Sequence, residues 1–172
     1  MRKLLLIGML LCAGLAARAQ EDVFQKVKEA NLPSTLEAAF VQTRHSELLS
    51  EDLVSRGRVW LQQPDKVRWE VTSPKPRLTV FNGEVPRSRK FRLPSEKDFK
   101  VTVLTSKELT LLLEPLRGDF RQLFTQIILK ADSESFRVRS ILLKGLDGDT
   151  TLIEFQDIRT GMEIDPKLFV KE

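Results

Sequence analysis

The stretch from Gly57 to Gly83, GRVWLQQPDKVRWEVTSPKPRLTVFNG, leaves the chain few choices of fold. It reads as three extended segments joined by two proline-marked turns. Gly57 to Gln62 alternates, with Val59 and Leu61 on one face and Arg58, Trp60 and Gln62 on the other. Proline fixes φ and cannot donate to a ladder, so Gln63-Pro64-Asp65-Lys66 is a turn. Val67, Trp69 and Val71 then alternate with Arg68, Glu70 and Thr72, and a period of two marks a strand with one apolar face. Ser73-Pro74-Lys75-Pro76 breaks the chain again. Leu78 to Phe81 is a third strand, and Asn82-Gly83 is a hairpin signal. Burial habit makes Trp69 a core residue. The alternative is that the apolar face is left vacant by the protein and takes an apolar guest.

The rest of the chain extends this sheet. Glu21 to Asn31 predicts a short helix, since Val23, Phe24, Val27 and Ala30 recur at helical spacing and Leu32-Pro33 stops it. Leu36 to Arg44 is a strand, and Ser46 to Ser55 crosses to the central stretch. Phe99, Val101 and Val103 alternate with Lys100, Thr102 and Leu104. Leu109 to Leu113 is apolar throughout; its place before Pro115 favours a strand buried on both faces over a helix. Gly118 to Phe124 predicts one or two helical turns with Phe120, Leu123 and Phe124 inward. Ile127 to Lys130, Phe136 to Leu143 and Thr150 to Ile158 are three further strands. The Leu146-Asp147-Gly148-Asp149 loop spells a polar hairpin turn, not a calcium loop.

Residues 1–19 read as an export signal: Arg2-Lys3, the apolar run Leu4 to Leu15, and Ala17-Arg18-Ala19 as the cleavage site, with cleavage after Ala19. A lipid anchor on Cys12 is the rival, but Met9-Leu10-Leu11 lacks the small residue such a site needs. The signal matters for charge. Of 28 basic residues it holds three and no acids, which leaves 28 − 3 = 25 against 24 acidic, a net of +1 instead of +4. A nucleic-acid partner loses its support. The remaining chain, about 150 residues, is one domain (20–172) with no disulfide, because the only cysteine lies in the signal.

In this stretch and in the tail, the chain resembles the periplasmic lipoprotein carriers, LolA and its relatives. The shared features are a Phe-x-Gln strand (Phe40 to Gln42), a Gly-x-apolar strand (Gly57 to Leu61), the Pro64 to Pro74 run around Trp69, and Asn82-Gly83. Ile153 to Ile158 followed by Ile164-Asp165-Pro166 and Leu168-Phe169 is similar to the family's closing strand. The resemblance spans residues 22–170. It implies an α+β, mostly β fold: a single antiparallel sheet curled into an unclosed barrel, with an N-terminal helix and a short inner helix. It also implies an apolar surface that shelters acyl chains, here Leu36, Ala38 and Phe40; Val59 and Leu61; Val67, Trp69 and Val71; Leu78 and Val80; and, by alternation, Phe99, Val101 and Val103. The partners implied are lipoproteins or other lipids, an inner-membrane release complex and an outer-membrane acceptor, met by a periplasmic monomer.

Two departures from the family stand out. Carriers continue after the Asn-Gly turn with an aromatic strand and lid helices. Here Glu84-Val85-Pro86-Arg87 follows, there is no tyrosine in the chain, and Ser88 to Asp98 is short and basic, which implies a reduced lid. The family's lid-latching arginine, just before the proline of the first turn, is replaced by Gln63. These departures favour a second expectation: a LolA-like binding or sensing module for another apolar ligand, a glycolipid or envelope lipid, without a sorting role.

Positive signs of an enzyme are missing. The single histidine, His45, has no second histidine or available cysteine beside it, so neither a metal site nor a nucleophilic triad is expected. No glycine-rich loop has phosphate-cradle spacing. No cofactor is expected.

Overall fold

The alternation of apolar and polar residues becomes one sheet. The computed structural model describes residues 22–83, 98–105, 108–116 and 118–170. Residues 22–30 form a helix, α1. Nine strands follow: β1 Thr35–His45, β2 Leu53–Gln62, β3 Lys66–Ser73, β4 Arg77–Asn82, β5 Phe99–Thr105, β6 Leu109–Pro115, β7 Phe124–Ala131, β8 Val138–Gly145 and β9 Thr150–Thr160. They join in the order β4-β3-β2-β1-β9-β8-β7-β6-β5, every pair antiparallel. The outer strands β4 and β5 are not paired with each other, so the barrel is unclosed. A one-turn helix, α2 (Gly118–Arg121), links β6 to β7. The segments expected to be an export signal and a reduced, basic lid lie outside the described residues.

The strand register fixes which side chains share a face, because directly paired residues point the same way. Leu36, Ala38 and Phe40 lie opposite Leu61, Val59 and Gly57. These in turn face Val67, Trp69 and Val71. On the far half, Val101 and Val103 pair with Leu113 and Leu111, and Leu111 and Leu109 with Leu129 and Ala131. One continuous apolar inner face results. Against its far half packs α1, whose Phe24 and Val27 join Phe99, Leu109, Leu111, Leu113 and Ala131 in the buried core. Asn31 pins the end of that helix. Its amide donates to the Val27 carbonyl at 2.6 Å and to the Phe136 carbonyl at 2.9 Å. Its oxygen accepts from the Val138 amide at 2.9 Å.

Several local expectations change. β6 is a strand, but it alternates: Leu109, Leu111, Leu113 and Pro115 are buried while the residues between them are only half-buried. Phe120 turns inward onto Phe99, with ring centroids 4.9 Å apart, whereas Leu123 is exposed. Phe136 precedes β8 in a left-handed turn conformation. Pro166–Phe169 forms a 3₁₀ turn instead of continuing a closing strand, with Asp165 accepting from the Lys167 amide at 2.9 Å. That turn buries Phe169 and meets the outer side of β3, where Arg68 donates to the Leu168 carbonyl at 3.0 Å and to Glu70 at 2.8 and 2.9 Å. Asn82-Gly83 does not join β4 to the next described strand, since β5 lies on the opposite edge.

Candidate functional site, an apolar groove beside the helix

α1 covers only part of the inner face. Between the helix and the near half of the sheet lies a groove of ≈ 320 Å³. One wall is α1 and the chain leaving it: Phe24, Val27, Lys28, Asn31 and Leu32. The other is β1 to β3: Leu36, Ala38, Val59, Leu61 and Trp69. Leu113, Leu129, Val138 and Ile141, with Phe155 and Ile158 from β9, complete it. Trp69 lies over the buried Phe40, ring centroids 4.2 Å apart and 28° from parallel. Phe40 has room because the residue opposite it is Gly57. A Cβ there would strike the Glu70 carbonyl oxygen and the Phe40 ring.

The expected inward set is thus divided. Leu36, Ala38, Val59, Leu61 and Trp69 are groove wall. Phe40 and Val71 are buried behind it. Val67 shares the face by register but lies outside the wall. Phe99, Val101 and Val103 also share the face, yet α1 sits over that half: Phe99 is in the buried core and the two valines pack against it. Leu78 and Val80 are a correction. They pair with Glu70 and Arg68, which puts them on the outer face, because directly paired residues point the same way. Gln63, at the expected latch position, has its side-chain amide donating to the Leu32 carbonyl and, at 3.3 Å, to the Pro33 carbonyl. It ties the first sheet turn to the segment that leaves α1.

Lining residues beyond that set come from two sources. The helix residues Phe24 and Val27 were visible as an apolar stripe, but a stripe does not say where its edge stands free. Phe155 and Ile158 sit three apart and would point to opposite faces of a regular strand. A register shift between Glu37 and Ala39 in the β1–β9 pairing, with Asp157 at φ 51°, brings both to the groove, as bulges do. Val138 and Ile141 are reconciled by a second shift, at Lys130/Ala131.

Among the described residues the ion pairs involve none of the lining side chains. Arg44 and Asp149 pair at 2.6 Å at the opposite end of β1. The Ser46 hydroxyl and Arg44 hold the Asp149 carboxyl below its ordinary pKa. His45 meets Asp52 at 2.8 Å. In the β7–β8 turn, the Ser135 amide and hydroxyl, then Arg139 and the Glu134 amide, lower Asp132 to about 2. Among the described residues no helix is long and apolar enough to cross a membrane.

Comparison with known proteins agrees with this geometry. Residues 32–85 match the family described as Outer membrane lipoprotein carrier protein LolA. An outer-membrane lipoprotein carrier protein of Methylococcus capsulatus is 28% identical over 191 aligned positions, covering 96% of this chain and 90% of the relative. Among solved structures, the Pseudomonas aeruginosa MucA/MucB complex superposes with a TM-score of 0.58 at 13% identity, over 90% of this chain and 61% of that one. MucB in complex with MucA(peri) superposes at 0.56 and 14%, over 89% and 60%. The chain therefore spans about three fifths of those structures, and at such identity they establish fold alone. The matched segment is the one that builds β1 to β4 and the near wall of the groove, so that the chain is similar to the LolA family there, and the carrier relative and the unclosed sheet agree with that likeness.

Proposed function

We propose that residues 20–172 form a periplasmic carrier that holds a lipoprotein acyl chain in the groove between α1 and β1–β3 and moves it from the inner to the outer membrane, residues 1–19 being its export signal. The observation that carries this reading is the groove itself, an apolar hollow of ≈ 320 Å³ beside the buried core cluster. Each methylene taken from water is worth ~0.8 kcal/mol, so on the order of ten methylenes contribute about 8 kcal/mol, enough for a soluble host to hold a chain without covalent chemistry. Size sets the stoichiometry. Small-molecule sites run from about 300 to 1,000 Å³, and ≈ 320 Å³ is at the low end of that range. The groove accommodates part of one chain, and a cargo with several chains requires α1 to move.

One feature favours a second reading, a binding or sensing module without a sorting role. Gln63 is already engaged with the Leu32 and Pro33 carbonyls, so it is not poised to release a lid. The structural neighbour MucB is described in complex with another protein, MucA(peri), which is the kind of partner such a module would have. Depletion in the native host separates the two. Lipoproteins retained in the inner membrane support carriage; normal sorting sinks it. Lipid extraction and native mass spectrometry of the purified protein name the guest under either reading.

A further inference from the structure

The groove wall contains one charged residue, Lys28. It is half-buried, and among the described residues no acid lies within ion-pair distance of it. Helix neighbours three and four positions away are the ones able to pair; here they are Phe24, Gln25, Asn31 and Leu32, none acidic. Asn31, the other polar wall residue, has both donors and its acceptor committed to backbone groups. The next lysine on the helix, Lys26, lies over the Phe136 ring, 5.5 Å from its centre. Lys28 is thus the wall's one uncommitted cation, on the helix that bounds the groove.

We infer that the groove takes an acyl chain ending in an anionic head, a carboxylate or a phosphate, with the Lys28 ammonium as its counter-ion. The inference rests on the second reading above, a module for an envelope lipid, because the ester- and amide-linked acyl chains of a lipoprotein end in no anion; it adds the class of head group. A lysine that only lays its stem along apolar surface and keeps its charge in water would show no preference for an anion. A charge-assisted bond at a half-buried site is worth about tenfold in affinity.

The test compares dodecanoate, dodecyl phosphate and dodecanol at pH 8, by titration calorimetry on the purified protein. Expected is that at least one anion binds about tenfold more tightly than the alcohol. Lys28→Met, which keeps the stem, removes that advantage by weakening the anion more than the alcohol, while Lys28→Arg retains it. The tighter of the two anions identifies the head as fatty-acid carboxylate or lipid phosphate. Equal binding of all three, unmoved by Lys28→Met, overturns the inference while the acyl groove stands. Binding of none of the three overturns the acyl groove and the inference together. Circular dichroism of each variant confirms that the sheet is intact.

Discussion

Trp69→Glu tests the groove more sharply than any other change, because the indole has two roles. It forms part of the wall and covers Phe40 at 4.2 Å. Removing it exposes on the order of 150 Å² of apolar surface, ~4 kcal/mol at 25 cal/mol per Å², and forfeits an aromatic pair worth about 1 kcal/mol. The glutamate stem recovers part of that, so the net loss of stability is about 3 kcal/mol. Domains of this kind have roughly 5–15 kcal/mol to lose, so the variant stays folded. The carboxylate faces an open groove and keeps its water while the groove is empty. An arriving chain strips that water, at a cost of several kcal/mol for an unpaired charge, against the ~8 kcal/mol that ten methylenes gain. The expected result is a loss of acyl affinity of more than a hundredfold.

The assay is displacement of a fluorescent fatty-acyl probe, with far-ultraviolet circular dichroism alongside. Trp69→Phe is the control; it keeps a ring on Phe40 and should bind within a few-fold of wild type. In Trp69→Glu the remaining tryptophan, Trp60, lies on the outer face with the Arg68 guanidinium 5.7 Å from its ring. Its emission reports the fold without sensing the groove. Unchanged affinity in the glutamate variant would refute the placement of the chain. Loss of the β signal at 25 °C would show instead that Trp69 is core and the hollow is not a site.

Three further changes probe the frame around the groove. Gly57→Ala forces a Cβ into the Glu70 carbonyl and the Phe40 ring, and backbone cannot yield as a side-chain tip does. The variant should be recovered insoluble or melt about 6–12 °C below wild type, consistent with an overpacking cost of about 3 kcal/mol; an unchanged melting temperature contradicts the close approach. Asn31→Ala leaves the Phe136 carbonyl and the Val138 amide without their partner, costing about 1–3 kcal/mol; faster hydrogen exchange at Val138 and looser attachment of α1 are the readout. Asp132 has a folded pKa of about 2 against ~3.9 unfolded. A lowered pKa contributes stability that is fully present above the unfolded value and is lost as pH falls through the folded one. Asp132→Asn should therefore have the lower urea midpoint at pH 7, and the gap should close between about pH 4 and 2; a gap that persists at pH 2 argues against an ionised Asp132.

Alternation along the chain revealed the strands and, within each, the apolar side: Leu36, Ala38, Val59, Leu61 and Trp69 were legible from a period of two and ended as groove wall. The same rule selected Phe99, Val101 and Val103 with equal force, and they do point inward. What separates the two groups is which half of the face α1 covers, and nothing in the local pattern of either group contains that information. It depends on a contact between residues far apart in the chain, the Asn31 hold on Phe136 and Val138. Leu78 and Val80 failed for another reason: a strand's alternation gives two faces but not which is inner, and the pairing of Val80 with Arg68 decides it. Phe155 and Ile158 were hidden by a bulge at a residue, Asp157, that carries no glycine to announce it. A curled sheet of this length must either be covered along its whole inner face or leave a hollow. A helix of only nine described positions, 22–30, spans about 13 Å at 1.5 Å per residue, too short to cover a face built from nine strands. The described part of α1 thus leaves the β1–β3 side of the inner face uncovered, and a variant with two helical turns added over β1–β3 should close the hollow and abolish acyl binding while raising the melting temperature.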